Sequence, residues 1–458
     1  MDKKLKLHFY GGTGTVTGAN FLLENSETKI LIDCGLTQGQ SFKPAEDPNR
    51  KPFPYNPADI DYLFVTHAHI DHIGRIPKLV KDGFSGKIIS TGPTREIAAV
   101  MLDDAASISA EDARRYNVEP LYEKKDVEAA VSIWETLDYH TELKINDDFS
   151  VLFKDAGHVL GSAMICITER NTFKKIVFTG DLGNSPTPLM RNTEDITDAD
   201  YLIMESVYGD RNHENKEDRL SKLKEVLTTI IQRKGTLLIP VFSLEKTQVL
   251  LHEMNNLIES GEIPSVPVFF DSPLGIRLTD IYAKQFKNFN EKVQARIMAG
   301  DDIFDFPKLI RTYSRVESDQ IHKTHGPKII VASSGMSSGG RIMSHEKEYL
   351  PDPKNAILFI GFQSLGTVGR SIEEGFREVK IDGEIVPVKA QIFVVTGYSS
   401  HKGSDDLVEF VSKTADKVKT VFTVMGEPKS TMFLAQRLKD NLNVNAIHPT
   451  EGQIVELA

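Results

Sequence analysis

The run Thr66-His67-Ala68-His69-Ile70-Asp71-His72 places three imidazoles and a carboxylate within six residues, directly after the apolar segment Tyr62-Leu63-Phe64-Val65. Neutral imidazole nitrogens and carboxylate oxygens are ligands that divalent transition ions take from proteins. In an extended segment, residues two apart point the same way, so His67 and His69 can grip one ion while the chain turns and Asp71 and His72 reach a second. A single histidine is ordinarily a satisfied core or surface residue. Four ligand-type side chains this close together outline a dinuclear metal site.

Three further residues lie just past β-type runs. His158 sits between Gly157 and Gly161, where the backbone can turn sharply. Asp181 follows Ile176-Val177-Phe178-Thr179-Gly180, so its carboxylate is presented at a strand end where it could bridge two ions. Asp33, after Ile30-Leu31-Ile32, reads as a group that orients a ligand or a loop, with an ordinary turn aspartate as the alternative.

The elements that must carry these residues show in the alternation of the chain. Short β-type runs at 5–10, 20–23, 29–33, 62–65, 87–90, 150–154, 163–167, 175–179 and 201–204 are interrupted by helical patterns at 73–81, 95–116 and 124–137. That section reads as sheets packed inside helices. From about Asp210 a helix-like stretch at 215–232, a strand at 235–241, a helix from 245 and strands at 266–270, 328–332 and 356–360 give the alternation of a parallel α/β unit. A strand at 391–395 and a helix from 404 lead back to a compact end. The expectation is one domain interrupted by another, with 1–208 and 389–458 forming the outer domain and 209–388 the insert.

A chain of 458 residues exceeds one ordinary core. Hydrophobic residues at 40% and charged residues at 26% are ordinary globular usage, which excludes a disordered or fibrous chain. No apolar run is long enough to span a bilayer, and the basic N-terminus lacks the apolar block of a secretory signal, so the cytoplasm is the expected compartment. Cys34 and Cys166 each lie in an apolar segment and read as small buried hydrophobes, leaving no disulfide framework and no thiolate metal site.

The net charge of −11 argues against a broad polyanion-binding surface, so any phosphate site must be local. Ser334, Gly335 and Met336 after the 328–332 strand, and Gly366 to Arg370 after the 356–360 strand, could offer backbone N–H groups and hydroxyls, with ordinary strand-to-helix turns as the alternative. The exit from the 235–241 strand has a lysine available at Lys246. The glycine-rich stretch from Gly11 to Gly18 lacks the spacing and the lysine of a phosphate loop, and joins two apparent strands.

With Asp33, His67, His69, Asp71, His72, His158 and Asp181 in this order, the chain resembles the metallo-β-lactamase superfamily. The resemblance implies an α/β fold, an αββα sandwich with metals at one edge of its two sheets. It implies one ion on His67, His69 and His158, a second on Asp71 and His72, and Asp181 between them. From Asp181 to His401 is 401 − 181 = 220 positions, and this interval, with Glu205 and His401, extends the resemblance to the β-CASP nucleases over essentially the whole chain. That family includes the endonuclease of messenger-RNA 3′-end formation, ribonuclease J and DNA-repair nucleases of the Artemis type.

Its implied activity is hydrolysis of phosphodiester bonds in single-stranded RNA by a metal-bound hydroxide. Zinc is the expected cofactor and manganese the alternative. Asp71 would accept the proton, and His401, paired with Glu205, would protonate the departing oxygen or hold the scissile phosphate. The chain departs from the pattern at Met425, where the RNA-processing branch carries a further histidine ligand and the DNA-processing branch a valine. A thioether is a poor partner for a borderline ion beside carboxylates, so the second ion is expected to bind more weakly.

Glu205 in place of aspartate leans towards the RNA branch. A single-stranded DNA nuclease, a small-molecule ester or thioester hydrolase and a non-catalytic RNA-binding scaffold stay open. The small-molecule hydrolase has no use for Glu205, His401 and the insert, whereas the scaffold would explain Met425. Internal cleavage and 5′-exonucleolytic digestion are both compatible with these residues, and a homo-oligomer or protein partner could supply specificity.

Overall fold

The computed structural model describes residues 4–38, 46–213, 217–364 and 366–458. Chain contacts divide it into two compact units, Met1–Asn212 with His401–Ala458, and His213–Ser400.

The first unit holds two seven-stranded sheets. One runs Ile454–Leu457, Leu5–Gly11, Asn20–Glu24, Lys29–Ile32, Tyr62–Phe64, Lys87–Ser90, Trp134–Thr136. The other runs Ala446–Ile447, Thr420–Val424, Tyr201–Glu205, Lys175–Phe178, Ala163–Glu169, Phe149–Asp155, Leu143–Lys144. Alternate residues of each strand face inward, so Leu7, Phe9, Phe21, Ile32 and Phe64 meet Phe153, Ile165, Phe178, Ile203 and Phe422 in one apolar layer. The opposite set on the second sheet, Val177, Leu202, Met204 and Val421, packs with Leu407, Phe410, Leu434 and Leu438 of the helices Ser404–Ser412 and Pro428–Leu442. Both faces of this sheet are therefore apolar, as its near-continuous hydrophobic runs require.

The glycine-rich stretch joins the antiparallel strands Leu5–Gly11 and Asn20–Glu24. The helical pattern at 124–137 is shorter than its periodicity suggests: the helix is Lys124–Ser132, and Trp134–Thr136 is a parallel edge strand beside Lys87–Ser90. Cys34 and Cys166 are free thiols. Among the described residues, no helix is long and apolar enough to cross a membrane.

The second unit is a six-stranded sheet in the order Leu309–Arg311, Val268–Asp271, Lys328–Ala332, Thr236–Pro240, Ala356–Phe359, Gln391–Val394, with every pairing parallel. A hairpin, Glu378–Ile381 with Glu384–Pro387, forms a separate two-stranded sheet whose Val379, Ile381 and Val386 pack into the same core. Its first helix is Glu217–Arg233; the expected start at Asn215 lies outside the described residues. The return to the outer domain is expected at residue 389, whereas the next strand still belongs to the insert's sheet. Gln391–Val394 pairs with Ala356–Phe359 as the last strand of the insert's own sheet, and the outer unit resumes at His401. The leading edge likewise falls at 212/213 rather than 208/209.

Loops at the strand ends are locked together by close backbone approach. Ala19 and Gly35 bond across their backbones, Ala19 N–H donates to Asp71 O (3.0 Å), and Cys34 N–H donates to His72 O (2.8 Å). A Cβ added to Gly35 would lie 1.5 Å from Asp71 O, so only glycine fits there. Gly35→Ala is expected to lower stability by about 1–3 kcal/mol, the usual cost of overpacking, and to loosen retention of divalent metal by shifting the Asp71-His72 segment. Gly92→Ala, where nothing lies within 4 Å, serves as the neutral control in urea denaturation and metal analysis.

Candidate metal centre

The ligand-type residues found in the sequence sit where strands of both sheets end. Tyr62–Phe64 delivers Thr66 and His67, and the short helix Ile70–Ile73 follows with Asp71 and His72. His158 lies between Phe149–Asp155 and Ala163–Glu169, Asp181 follows Lys175–Phe178, and Glu205 closes Tyr201–Glu205.

His67 Nε2 and His69 Nδ1 are 2.9 Å apart, and His158 Nε2 is 3.3 Å from the same His69 nitrogen. Asp181 Oδ2 lies 3.4 Å from both His67 Nε2 and His158 Nε2. Two imidazoles can share one proton, but three ring nitrogens and a carboxylate oxygen directed at one point fit a divalent cation. Burial, with His67 second, holds His69 well below the usual imidazole range, and burial with His401 does the same to His158. Neutral rings are the metal-binding form.

Asp33 orients this edge, from a backbone φ of 57°. Its Oδ1 accepts from Thr66 N–H (2.8 Å), its Oδ2 accepts from Thr66 Oγ1 (2.8 Å), and Oδ2 also faces His72 Nδ1 at 2.7 Å. A carboxylate can only accept, so Nδ1 carries the hydrogen and Nε2 is turned to Asp181 Oδ1, 3.5 Å away. Burial alone would discharge His72, but Asp181 and Asp33 outweigh it and hold the ring well above its usual range. Burial also opposes ionisation of Asp181, and His72 and His67 overcome it, keeping that carboxyl well below the carboxylate range. Asp71 is pushed up by burial, with His72 opposing.

Among the described residues, three or more ligand atoms lie within 4.8 Å of one another in two sets: His67, His69, His158 and Asp181, and Asp181, Glu205 and His401. Asp71 and His72 join neither. Met425 supplies no ligand in their place. It is 1% exposed, has a φ of 49°, and packs in the apolar layer with Phe9, Phe21 and Phe178, while its N–H donates to Gly12 O (2.6 Å).

His401 Nδ1 faces Glu205 Oε1 and Oε2 at 3.3 and 3.2 Å, and Asp181 Oδ2 at 4.0 Å. Glu205 is buried, and its Oε1 accepts from Leu182 N–H (2.6 Å). Burial raises its carboxyl above the usual range, with His401 opposing. A β-bridge between Gly183 and His401, with Lys402 N–H donating to Leu182 O (3.1 Å), ties the resuming chain to the Asp181 loop.

The residues proposed for phosphate lie in the second unit. Ser334 Oγ accepts from Ser338 N–H (3.1 Å), Gly335 O from Gln363 Nε2 (2.9 Å), and Met336 O from Gly369 N–H (3.1 Å). Gly366, at φ 84°, precedes the short helix Val368–Glu373. Arg370 pairs with Glu374 (2.7 Å) and Glu373 (3.8 Å) of its own turn, and its N–H donates to Thr367 Oγ1. Several of the groups that would meet an anion are thus engaged within the loops.

Thr66 has no metal-ligand side chain to mark it in the sequence, yet its hydroxyl contacts Asp33, His67 Nδ1 (3.1 Å) and His72 Nδ1 (3.4 Å). Its one signal was its place immediately before the His67-Ala68-His69 run.

Family models match at residues 13–231 (metallo-beta-lactamase superfamily), 247–372 (Beta-Casp domain) and 385–449 (Zn-dependent metallo-hydrolase RNA specificity domain). The chain is 31% identical over 430 residues to Ribonuclease TTHA0252 of Thermus thermophilus, covering 94% of this chain and 95% of that protein. It is 29% identical to an RNase J-like protein of Methanocaldococcus jannaschii, covering 98% and 99% of the two chains. It is 30% identical to the transcription termination factor FttA of Methanosarcina mazei, covering all of this chain and 72% of that one. A crystal structure of a protein of unknown function from Enterococcus faecalis V583 shares the fold at 12% identity, with a TM-score of 0.59 over 99% of this chain and 100% of that one. The donor set at the strand ends, the inserted parallel sheet and these relatives together make the chain a member of the metallo-β-lactamase superfamily, in its β-CASP family.

Proposed function

We propose that the protein is a metal-dependent hydrolase that cuts phosphodiester bonds in single-stranded RNA, in the cytoplasm. The observation that carries this reading is the Glu205–His401 pair beside Asp181, at the edge of the histidine cluster. A small-molecule hydrolase built on the same ligands has no use for that pair or for the insert. The ribonuclease and RNase J-like names of two relatives, and the RNA specificity model over 385–449, support RNA as substrate.

Zinc is the cation that suits the three-imidazole set best, with manganese as the alternative. When bound, divalent ions supply an activated water and neutralise charge on the phosphoryl group. His67, His69 and His158 would hold one ion, and Asp71, His72 and Asp181 would hold a second. Asp33 and Thr66 keep His72 turned inward. The Asp71 carboxylate, which burial makes more basic, takes a proton as water attacks. Glu205 holds Nδ1 of His401, so the ring is oriented to protonate the departing oxygen or to hold the scissile phosphate.

Three outcomes are expected. Chelator titration with metal counting releases the ion on Asp71, His72 and Asp181 first, because Met425 lies in the core; loss of two equally tight ions together refutes this. His401→Ala and Glu205→Gln each lower kcat by about 10²–10⁴, the usual worth of general acid–base catalysis, with metal content retained; full activity in His401→Ala removes that ring from the mechanism. 5′-Labelled RNA is shortened in the presence of zinc or manganese, matching single-stranded DNA is not, and Asp181→Ala is inactive on both. The product lengths distinguish internal from 5′-terminal cleavage, and loss of DNA alone would assign the other branch.

A further inference from the structure

In the second unit, Thr236–Pro240 and Ala356–Phe359 are parallel neighbours whose onward connections leave in opposite directions. The first leads past Lys328–Ala332 to Val268–Asp271, and the second leads the other way to Gln391–Val394. Such a reversal of strand order opens a crevice at the carboxyl ends of the two strands, where open α/β sheets receive ligands.

Lys246 stands at this crevice, at the start of the helix Lys246–Glu259. Its Nζ lies 4.7 Å from the centroid of the Phe242 ring and 3.3 Å from where a Cβ on Gly361 would stand. No carboxylate among the described residues pairs with it, and the carboxyl of the preceding Glu245 accepts from Tyr282 Oη (2.8 Å). Burial is the sole influence on the amine and brings its pKa down to about 8. An ammonium in an apolar setting without a counter-charge is costly, and an anionic ligand removes the cost. Phe362, directly after Gly361, is 51% exposed, so its ring is open to a stacking partner at the exit of the Ala356–Phe359 strand.

We propose that this crevice is an RNA nucleotide subsite in which the Lys246 ammonium takes a phosphate and Phe362 stacks a base. The proposal rests on RNA as the substrate and adds a binding site to it. A phosphate drawn to one lysine, together with an aromatic platform, is how unpaired strands are held without sequence preference. It also gives an acidic chain a local cation at the strand exits, where Arg370 is occupied by Glu374.

The test is fluorescence anisotropy of labelled oligouridylate, and of a matching abasic ribose-phosphate strand, on full-length protein carrying Asp181→Ala to block cleavage. Lys246→Met weakens both strands about tenfold and reduces the slope of log affinity against log salt by about 1. In the parent, affinity falls as the pH rises above about 8, where the amine discharges. Lys246→Arg keeps the affinity and abolishes that fall, which also shows that the fold survives substitution there. Phe362→Ala weakens oligouridylate about tenfold and spares the abasic strand. Lys246→Met with unchanged affinity and salt slope overturns the phosphate assignment, and Phe362→Ala weakening both strands alike overturns the stack. If native protein cleaves RNA while these variants bind like the parent, the subsite fails and the hydrolase reading stands; if the variants behave as expected but native protein cuts no RNA, the reverse holds.

Discussion

The outer unit is organised around a cost: three ring nitrogens and a carboxylate oxygen, all 2.9–3.4 Å from a neighbour, are gathered where water hardly reaches. Polar groups with lone pairs turned towards one another are unfavourable in a low-dielectric interior unless something positive stands between them. The protein meets that cost in two ways. Burial keeps His69 and His158 neutral, so they repel each other little and present ligand lone pairs. Asp33, Thr66, His72 and Asp181 form a row beside them, in which Asp33 accepts from His72 Nδ1 and turns the ring's Nε2 to Asp181.

That arrangement requires backbone loops from two sheets to meet at one edge with little tolerance. Phe9, Phe21, Phe64, Phe153 and Phe178 hold the sheets against each other, and their strand ends are joined by backbone bonds from Ala163 N–H to Thr66 O (2.8 Å) and from Met425 N–H to Gly12 O (2.6 Å). The loops then lock where no Cβ can fit: one on Gly35 would lie 1.5 Å from Asp71 O, and one on Gly183 would lie 1.9 Å from Gly157 O. A close-packed interior carries such placement faithfully, because its side chains leave few voids into which a loop could relax.

The chain is acidic, with a net charge of −11, yet the proposed substrate is a polyanion. The positive potential must then be concentrated at points, as bound cations and single well-placed side chains supply it. Met425 bears on one of these points. By joining the apolar layer it leaves the Asp71–His72 side of the centre with one ligand fewer than the RNA-processing pattern carries, while Glu205 and His401 stay poised beside Asp181.

The candidate metal ligands are legible in the sequence because their signal is local. Four ligand-type residues after one apolar run, and single ones after later runs, reflect the period-two geometry of strands that end at a common edge. The insert was legible as a parallel sheet for the same reason, since each of its strands is a short apolar run between helices. Which sheet a run belongs to is not local. Gln391–Val394 has the composition of any buried strand, and only its pairing with Ala356–Phe359 assigns it to the insert. The same holds for side chains whose role depends on what they face. Arg370 in sequence is a free cation and in the fold is half of an ion pair; Met425 in sequence is a missing ligand and in the fold a piece of core; Thr66 in sequence is a neighbour and in the fold the hydroxyl that joins Asp33 to two histidines. Residue type and spacing determine what chemistry is available, whereas long-range pairing decides which groups come within bonding distance, because that distance is set by packing between segments far apart in the chain.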